Sequence, residues 1–344
     1  MATRKALLVG AGGMGRGWAK NLTAHADRVE LAGWVDIREG AAAEAAETLG
    51  ISVGHTGTDL GKALAEVQPD FLVDVTIPEA HHDVTIQALE AGVPVIGEKP
   101  MAHSMEAARE MVAASEKSGK LYMVSQSRRY DGRIHAFRKL VQEKLGTLGI
   151  LNADFYIGAH FGGFRDEMDS VLLLDMAIHS MDQARFISGA DPVSVYCEEF
   201  NPSWSWYKGA ASATALYEMS NGLRFTYRGS WCAEGRNTSW ECEWRAVGEN
   251  GTATWDGHNA IQAELPIVTD GFIRPVEKIE RTTSGNGYPF GDGHGIAGSL
   301  RDFLHALDTG ETPMGECHDN IKSLAMIFAA IESSKTGQRV SIEI

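Results

Sequence analysis

From residue 5 onward the chain alternates short apolar runs with longer stretches of helical period. Residues 5–9, 29–36, 70–75, 93–97 and 121–124 are apolar runs of strand length, and 14–25, 40–49, 79–90 and 104–118 carry helical patterns between them. Apolar strands separated by helices of about 10–15 residues predict parallel pairing with helices on both faces, a doubly wound α/β sheet. Past about residue 145 the period changes. Runs at 151–157, 193–199, 213–219, 223–231 and 239–247 follow one another with few helices between them. Within 224–231, Phe225, Tyr227 and Trp231 alternate against Arg224, Thr226 and Arg228, and Trp240, Cys242 and Trp244 repeat the two-residue period. Strand after strand predicts a large, mostly antiparallel sheet, so the second half reads as α+β. A helix over 174–187 interrupts it, and helices over 296–307 and 319–336 close the chain, the last stopping at Gly337. Two domains are expected, 1–125 and 126–344, divided by a change of period rather than by a visible linker.

The length, 344 residues, accommodates about two domains with buried cores. No run approaches the ~18 apolar residues of a membrane helix, so a spanning protein is not expected. Asp and Glu outnumber Lys and Arg by 46 to 31, a formal charge of −15 that disfavours a nucleic-acid partner. Cys197, Cys232, Cys242 and Cys317 form no CxxC pair, which suits reduced thiols and a cytoplasmic setting. The basic, apolar start has the outline of a leader, but its apolar run is too short and too glycine-rich; it reads as a strand entering a turn.

Gly10-Ala11-Gly12-Gly13-Met14-Gly15 fits GxGxxG between an apolar strand and a helical pattern, the context in which this spacing carries chemistry. Gly10 permits the tight turn, Gly12 lets the backbone approach a pyrophosphate, and Gly15 permits close helix–strand packing. The helix start offers unpaired N–H groups to phosphate oxygens. Asp36 ends the second strand 21 residues beyond Gly15 and suits a ribose-binding acid, favouring NAD over NADP; Arg38, two residues on past Ile37, partly offsets that preference. A bare strand–helix turn with a strand-end cap would also use these residues, but the spacing, context and acid together favour the nucleotide reading. Ligands of such sheets sit beyond the strands' carboxyl ends. Thr76-Ile77-Pro78, Glu98 and Lys99 are therefore expected to ring the cofactor, with His81 near it at the start of its helix. His81, His82 and His294 lack metal-ligand spacing, and no metal is expected.

Here the chain resembles the Gfo/Idh/MocA oxidoreductases over nearly its whole length. The resemblance rests on Gly10–Gly15, Thr76-Ile-Pro78, Ala91-Gly-Val-Pro-Val-Ile-Gly-Glu-Lys-Pro100, Arg128-Arg129-Tyr130, Asp175-Met-Ala-Ile-His179-Ser-Met-Asp182 and Trp244-Arg-Ala-Val-Gly-Glu-Asn-Gly251, in that order. It departs where the family often has glycines, at Ser170-Val-Leu-Leu-Leu and Ala177, and at Ser127, where asparagine is common. The resemblance implies a Rossmann domain followed by an open-sheet domain. It also implies C-terminal helices (296–336) that pack back toward the Rossmann domain, NAD(P) chemistry on sugars or polyols, and a homodimer or homotetramer formed through the sheet.

Hydride transfer from a secondary alcohol needs a base for the hydroxyl proton and donors for the reacting oxygen. Asp175 and His179, four apart on a predicted helix, share a face. His179 is the expected general base, Lys99 the donor to the reacting oxygen, and Asp175 a ligand for a neighbouring hydroxyl or a tuner of His179; Asp182 reads as supporting the helix. Arg129, Tyr130, His160 and Trp206 are the further expected substrate contacts, while most of the sheet aromatics read as packing. A second reading keeps the cofactor but cleaves glycosides by transient oxidation, elimination, water addition and re-reduction. A third, a nucleotide-bound sensor, has no need of the Lys99, Asp175 and His179 set.

Overall fold

The computed structural model describes residues 3–282 and 294–344, which divide into two compact units: Met1–Ser127 with Gly295–Ile321, and Arg128–His294 with Lys322–Ile344. The first unit runs β1 (Arg4–Val9), α1 (Gly13–Ala24), β2 (Val29–Val35), α2 (Ala41–Leu49), β3 (His55–Gly57), α3 (Leu60–Val67), β4 (Phe71–Asp74), α4 (Pro78–Glu90), β5 (Val95–Gly97), α5 (Met105–Ser118) and β6 (Tyr122–Val124). Its six strands are parallel in the order β3-β2-β1-β4-β5-β6, a Rossmann sheet whose order reverses beside β1. The three-residue β3 has no apolar side chain, and α3, though amphipathic, spans only eight residues, so both are too short to stand out by period. Asp59 and Ser104 accept from the N–H groups of Lys62 and Ala107, capping α3 and α5.

The second unit holds α6 (Gly132–Lys144), β7 (Leu148–Tyr156), a π-helical turn (Leu172–Ala177) that runs into α7 (Ile178–Ser188), and β8 (Pro192–Phe200). There follow β9 (Ser212–Met219), β10 (Arg224–Ser230), β11 (Glu243–Gly248), β12 (Gly251–Trp255), β13 (Ala260–Pro266) and β14 (Val276–Thr282). With the terminal β15 (Val340–Ser341) they form a nine-stranded sheet, β14-β13-β12-β11-β7-β10-β9-β8-β15, antiparallel except where β10 runs parallel to β7. Alternation builds its core: Phe225 and Tyr227 are fully buried while Arg224 and Arg228 face out. Phe225 stacks between Tyr217 and Trp244 at centroid distances of 5.6 and 6.2 Å.

Three expectations are corrected. The 174–187 helix begins earlier and as a π turn, so Asp175 and His179 belong to different helical geometries. Residues 239–242 form a turn, with Cys242 at φ 64°, rather than the start of a strand, and Trp240 is 45% exposed. The closing helices, α8 (Ile296–Thr309) and α9 (Cys317–Thr336), divide their packing. In the first unit Phe303 of α8 meets Phe71 edge-on at 5.5 Å, and Ser299 bonds Ser125 at 3.0 Å. In the second unit the carbonyl of Met326 accepts from the Tyr217 hydroxyl at 3.1 Å, and Ser333 Oγ accepts from the Cys197 N–H at 2.9 Å.

Candidate active site

In the first unit the β1–α1 turn is shaped by its glycines. Gly10 has φ 102°, and a Cβ there would lie 2.6 Å from the Val75 carbonyl oxygen. At Gly15 a Cβ would lie 2.1 Å from the Gly10 carbonyl oxygen, so α1 packs against the turn only without a side chain. Gly12, by contrast, would project a Cβ into open space. No side chain caps α1, which leaves its first N–H groups for an anion. Asp36 Oδ2 accepts from the Ala11 N–H at 2.6 Å, tying the end of β2 to the glycine turn. Burial pushes the Asp36 carboxyl up, but the Arg38 side chain, its N–H and that of Ala11 prevail and hold it below the usual carboxylate range. The Arg38 guanidinium, largely exposed, reaches both Asp36 oxygens at 3.0 and 3.1 Å. Met14, Ile37 and Ile77 expose apolar side chains beyond the carboxyl ends of β1, β2 and β4, where a flat base would find apolar contact. A glycine cradle, an uncapped helix start and an ionised strand-end acid fit an adenine dinucleotide.

A buried polar cluster stands behind this edge. Asp74 accepts from Thr76 Oγ1 at 2.6 Å and the Thr76 N–H at 3.0 Å, and its other oxygen meets His81 Nδ1 at 2.9 Å. Burial works against a charged His81, but the carboxylate of Asp74 outweighs it and the imidazole pKa is raised. His81 is thus engaged from below by the sheet. Glu98 Oε1 accepts from Trp18 Nε1 at 2.7 Å, and burial pushes its carboxyl up. This places Glu98 against α1 rather than in the open. Lys99 follows it, half-buried, with its N–H 3.3 Å from Glu98 Oε2. Trp18 and Asp74 carry no chemical motif, and sequence gave no sign of either role.

In the second unit Asp175 sits in the π turn and His179 in the first turn of α7, 9% exposed. Asp175 Oδ2 accepts from Arg165 Nε at 2.5 Å. Single π turns recur at functional sites, because the extra residue redirects side chains that an α-helix would stack. Arg129 and Tyr130 differ from the expectation that both reach a substrate. Tyr130 is fully buried, and the Arg129 guanidinium grips Asp182 through Nε and Nη2, both at 2.7 Å, in a pair exposed by only 7% and 2%. Asp182 also accepts from Ser323 Oγ at 2.8 Å, which receives Arg185 Nη1 at 2.9 Å. The physical reason is dielectric: a guanidinium taken into the interior requires a carboxylate, and α7 supplies one a turn beyond His179. His160 and Trp206 do meet, stacked at 3.7 Å and 16°, with His160 Nε2 3.0 Å from exposed Glu234.

Comparison with known proteins gives the family and the fold. Residues 4–126 match the oxidoreductase family with an NAD-binding Rossmann fold, and residues 134–254 match the GFO/IDH/MocA C-terminal domain. The uncharacterized protein y4oX of Sinorhizobium fredii is 30% identical over 99% of this chain and 96% of its own. Inositol 2-dehydrogenase 1 of Paenarthrobacter aurescens is 23% identical over 99% of this chain and 97% of its own. The crystal structure of an oxidoreductase from Agrobacterium radiobacter, in complex with NAD+, L-tartaric acid and magnesium, superposes with a TM-score of 0.86 at 22% identity, covering 99% of both chains. The fold and the cofactor edge thus define an NAD-dependent oxidoreductase. Within that class, the chain belongs to the Gfo/Idh/MocA family.

Proposed function

We propose that this enzyme transfers a hydride between a secondary hydroxyl of a sugar, polyol or sugar derivative and NAD. The observation that carries the reading is the junction of the π turn with α7, which carries the Asp175 carboxylate and the buried His179 imidazole on one short stretch. The inositol dehydrogenase relative supports a polyhydroxylated substrate. NAD, when bound, supplies the hydride acceptor at nicotinamide C4. The α1 start and Gly12 hold the pyrophosphate, and Asp36 accepts from the adenosine ribose and repels a 2′-phosphate. Thr76, Ile77 and Pro78 line the same edge. The Lys99 ammonium donates to the reacting oxygen and stabilises its developing negative charge. His179 takes the hydroxyl proton as the carbinol C–H bond breaks and the C=O bond forms. Asp175 accepts from a neighbouring hydroxyl, and the His160–Trp206 stack offers an apolar face to a sugar ring.

We place the enzyme in the cytoplasm, in keeping with its four free, buried cysteines, and as a homodimer or homotetramer. Asn152, Asp154, Arg228, Glu243, Arg245 and Gln262 line one shallow face of the nine-stranded sheet with both signs of charge, the kind of face that an isologous contact pairs with itself. A monomer in sedimentation velocity at micromolar concentration refutes that assembly.

Lys99→Ala and His179→Ala are each expected to lower kcat by about 10²–10⁴-fold while NADH binding stays nearly unchanged. The assay is NADH absorbance over a panel of polyols, aldoses and glycosides. Near-normal turnover in both variants refutes the assignment. Glycoside cleavage without accumulating NADH would move the chain to the elimination–rehydration reaction instead.

A further inference from the structure

Arg165 belongs to no motif, yet the structure fixes it firmly. It sits on a short 3₁₀ turn, Gly163–Glu167, entered through Gly162 and Gly163 at φ 69° and 70°. The turn is fastened to the chain around Trp206: the Lys208 N–H donates to the Asp166 carbonyl at 2.8 Å, and the Tyr207 hydroxyl donates to the Ala159 carbonyl. The guanidinium carbon lies 5.0 Å from the Phe161 ring centroid and 4.7 Å from that of Phe164, while Nε holds Asp175 Oδ2. Two aromatic faces and a carboxylate therefore restrict the plane of a side chain that is still 31% exposed.

We propose that Arg165 and Asp175 together form the specificity element of the enzyme, a donor–acceptor edge for two adjacent hydroxyls of a neutral polyol or sugar. This rests on the oxidoreductase reading above. A carboxylate accepts from one hydroxyl and a guanidinium N–H donates to the oxygen of the next, so a vicinal diol satisfies both partners. Their charges cancel. An unpaired carboxylate would favour cationic substrates and an unpaired guanidinium anionic ones, whereas the pair selects uncharged rings.

The test compares kcat and KM for myo-inositol, D-glucose, D-gluconate and D-glucosamine with NAD+, in the wild type, Arg165→Ala and Arg165→Lys. NADH fluorescence titration serves as the check of folding. Wild type is expected to prefer a neutral substrate. Arg165→Ala should raise its KM by about tenfold or more, change kcat by less than about threefold, and move preference toward D-glucosamine. Arg165→Lys, a charge without the planar fork, should keep the charge preference and recover only part of the KM; if Arg165→Ala fails to fold, this KM effect decides. Unchanged KM and preference in the variants of an active enzyme overturn the role of Arg165 alone. A wild-type preference for D-gluconate or D-glucosamine overturns the neutral-diol selection. Inactivity of the wild type on all four overturns this proposal, whereas the function it rests on falls only with inactivity across the whole panel of polyols, aldoses and glycosides.

Discussion

Asp182→Asn tests the support beneath His179 with almost no change of shape. The wild-type carboxylate holds the buried Arg129 guanidinium through two 2.7 Å bonds and also accepts from Ser323. At an effective dielectric of ~20, unit charges ~4 Å apart attract by about 4 kcal/mol. Removing one member of such a buried pair costs about 3–5 kcal/mol, because the remaining charge stays desolvated. For a unit of this size that corresponds to a fall in Tm of roughly 6–20 °C. Calorimetry or urea unfolding followed by tryptophan fluorescence reads the loss in the second unit, and NADH titration reports whether the first unit is spared. The double variant Arg129→Met, Asp182→Leu removes both charges and is expected to regain most of the stability, as apolar replacement of buried pairs often does. A loss below ~1 kcal/mol in Asp182→Asn refutes the reasoning, since a solvent-screened pair gives values of that order.

Two further outcomes follow from the first unit. Asp36→Ser removes the carboxylate that repels a 2′-phosphate and leaves Arg38 to attract one; the ratio of kcat/KM for NADP to that for NAD is expected to rise by about tenfold or more, and an unchanged ratio counts against Asp36 as the selector. His81 has a folded-state pKa raised by Asp74. Its stabilising contribution is therefore fully present below the unfolded value of about 6.5 and is lost as pH rises through the raised folded value. Thermal midpoints measured upward from pH 6 should fall more steeply in wild type than in His81→Asn, and parallel curves would refute the Asp74–His81 coupling.

Much of the architecture was legible before any coordinates. The apolar runs that became β1, β2, β4, β5 and β6 are buried on both faces over most of their length, so they carry a strong signal. The glycine spacing could be read because the tight turn leaves no room for a Cβ at Gly10 or Gly15, and Asp36 because it ends the next strand beside that turn. The two-residue period of β10 likewise revealed its buried face. What escaped were elements whose identity depends on partners. The strand β3 has only three residues and exists because β2 offers an edge. The strands β12, β13 and β14 are paired out to the margin of the sheet but carry mixed polar faces that resemble loops in sequence.

Among the site residues, local pattern pointed to the glycines and the strand-end acid. Only tertiary structure could decide the arginines. Arg129 sits in a block that pointed to substrate and Arg165 in none, yet the first is sealed onto Asp182 and the second lies by two phenyl rings on Asp175. A charge's role is fixed by the dielectric and counter-charge around it, and both come from segments distant in the chain. Helical period and glycine spacing are short-range properties, readable within one turn of chain; desolvation and ion pairing are not, and they emerge only when the fold is closed.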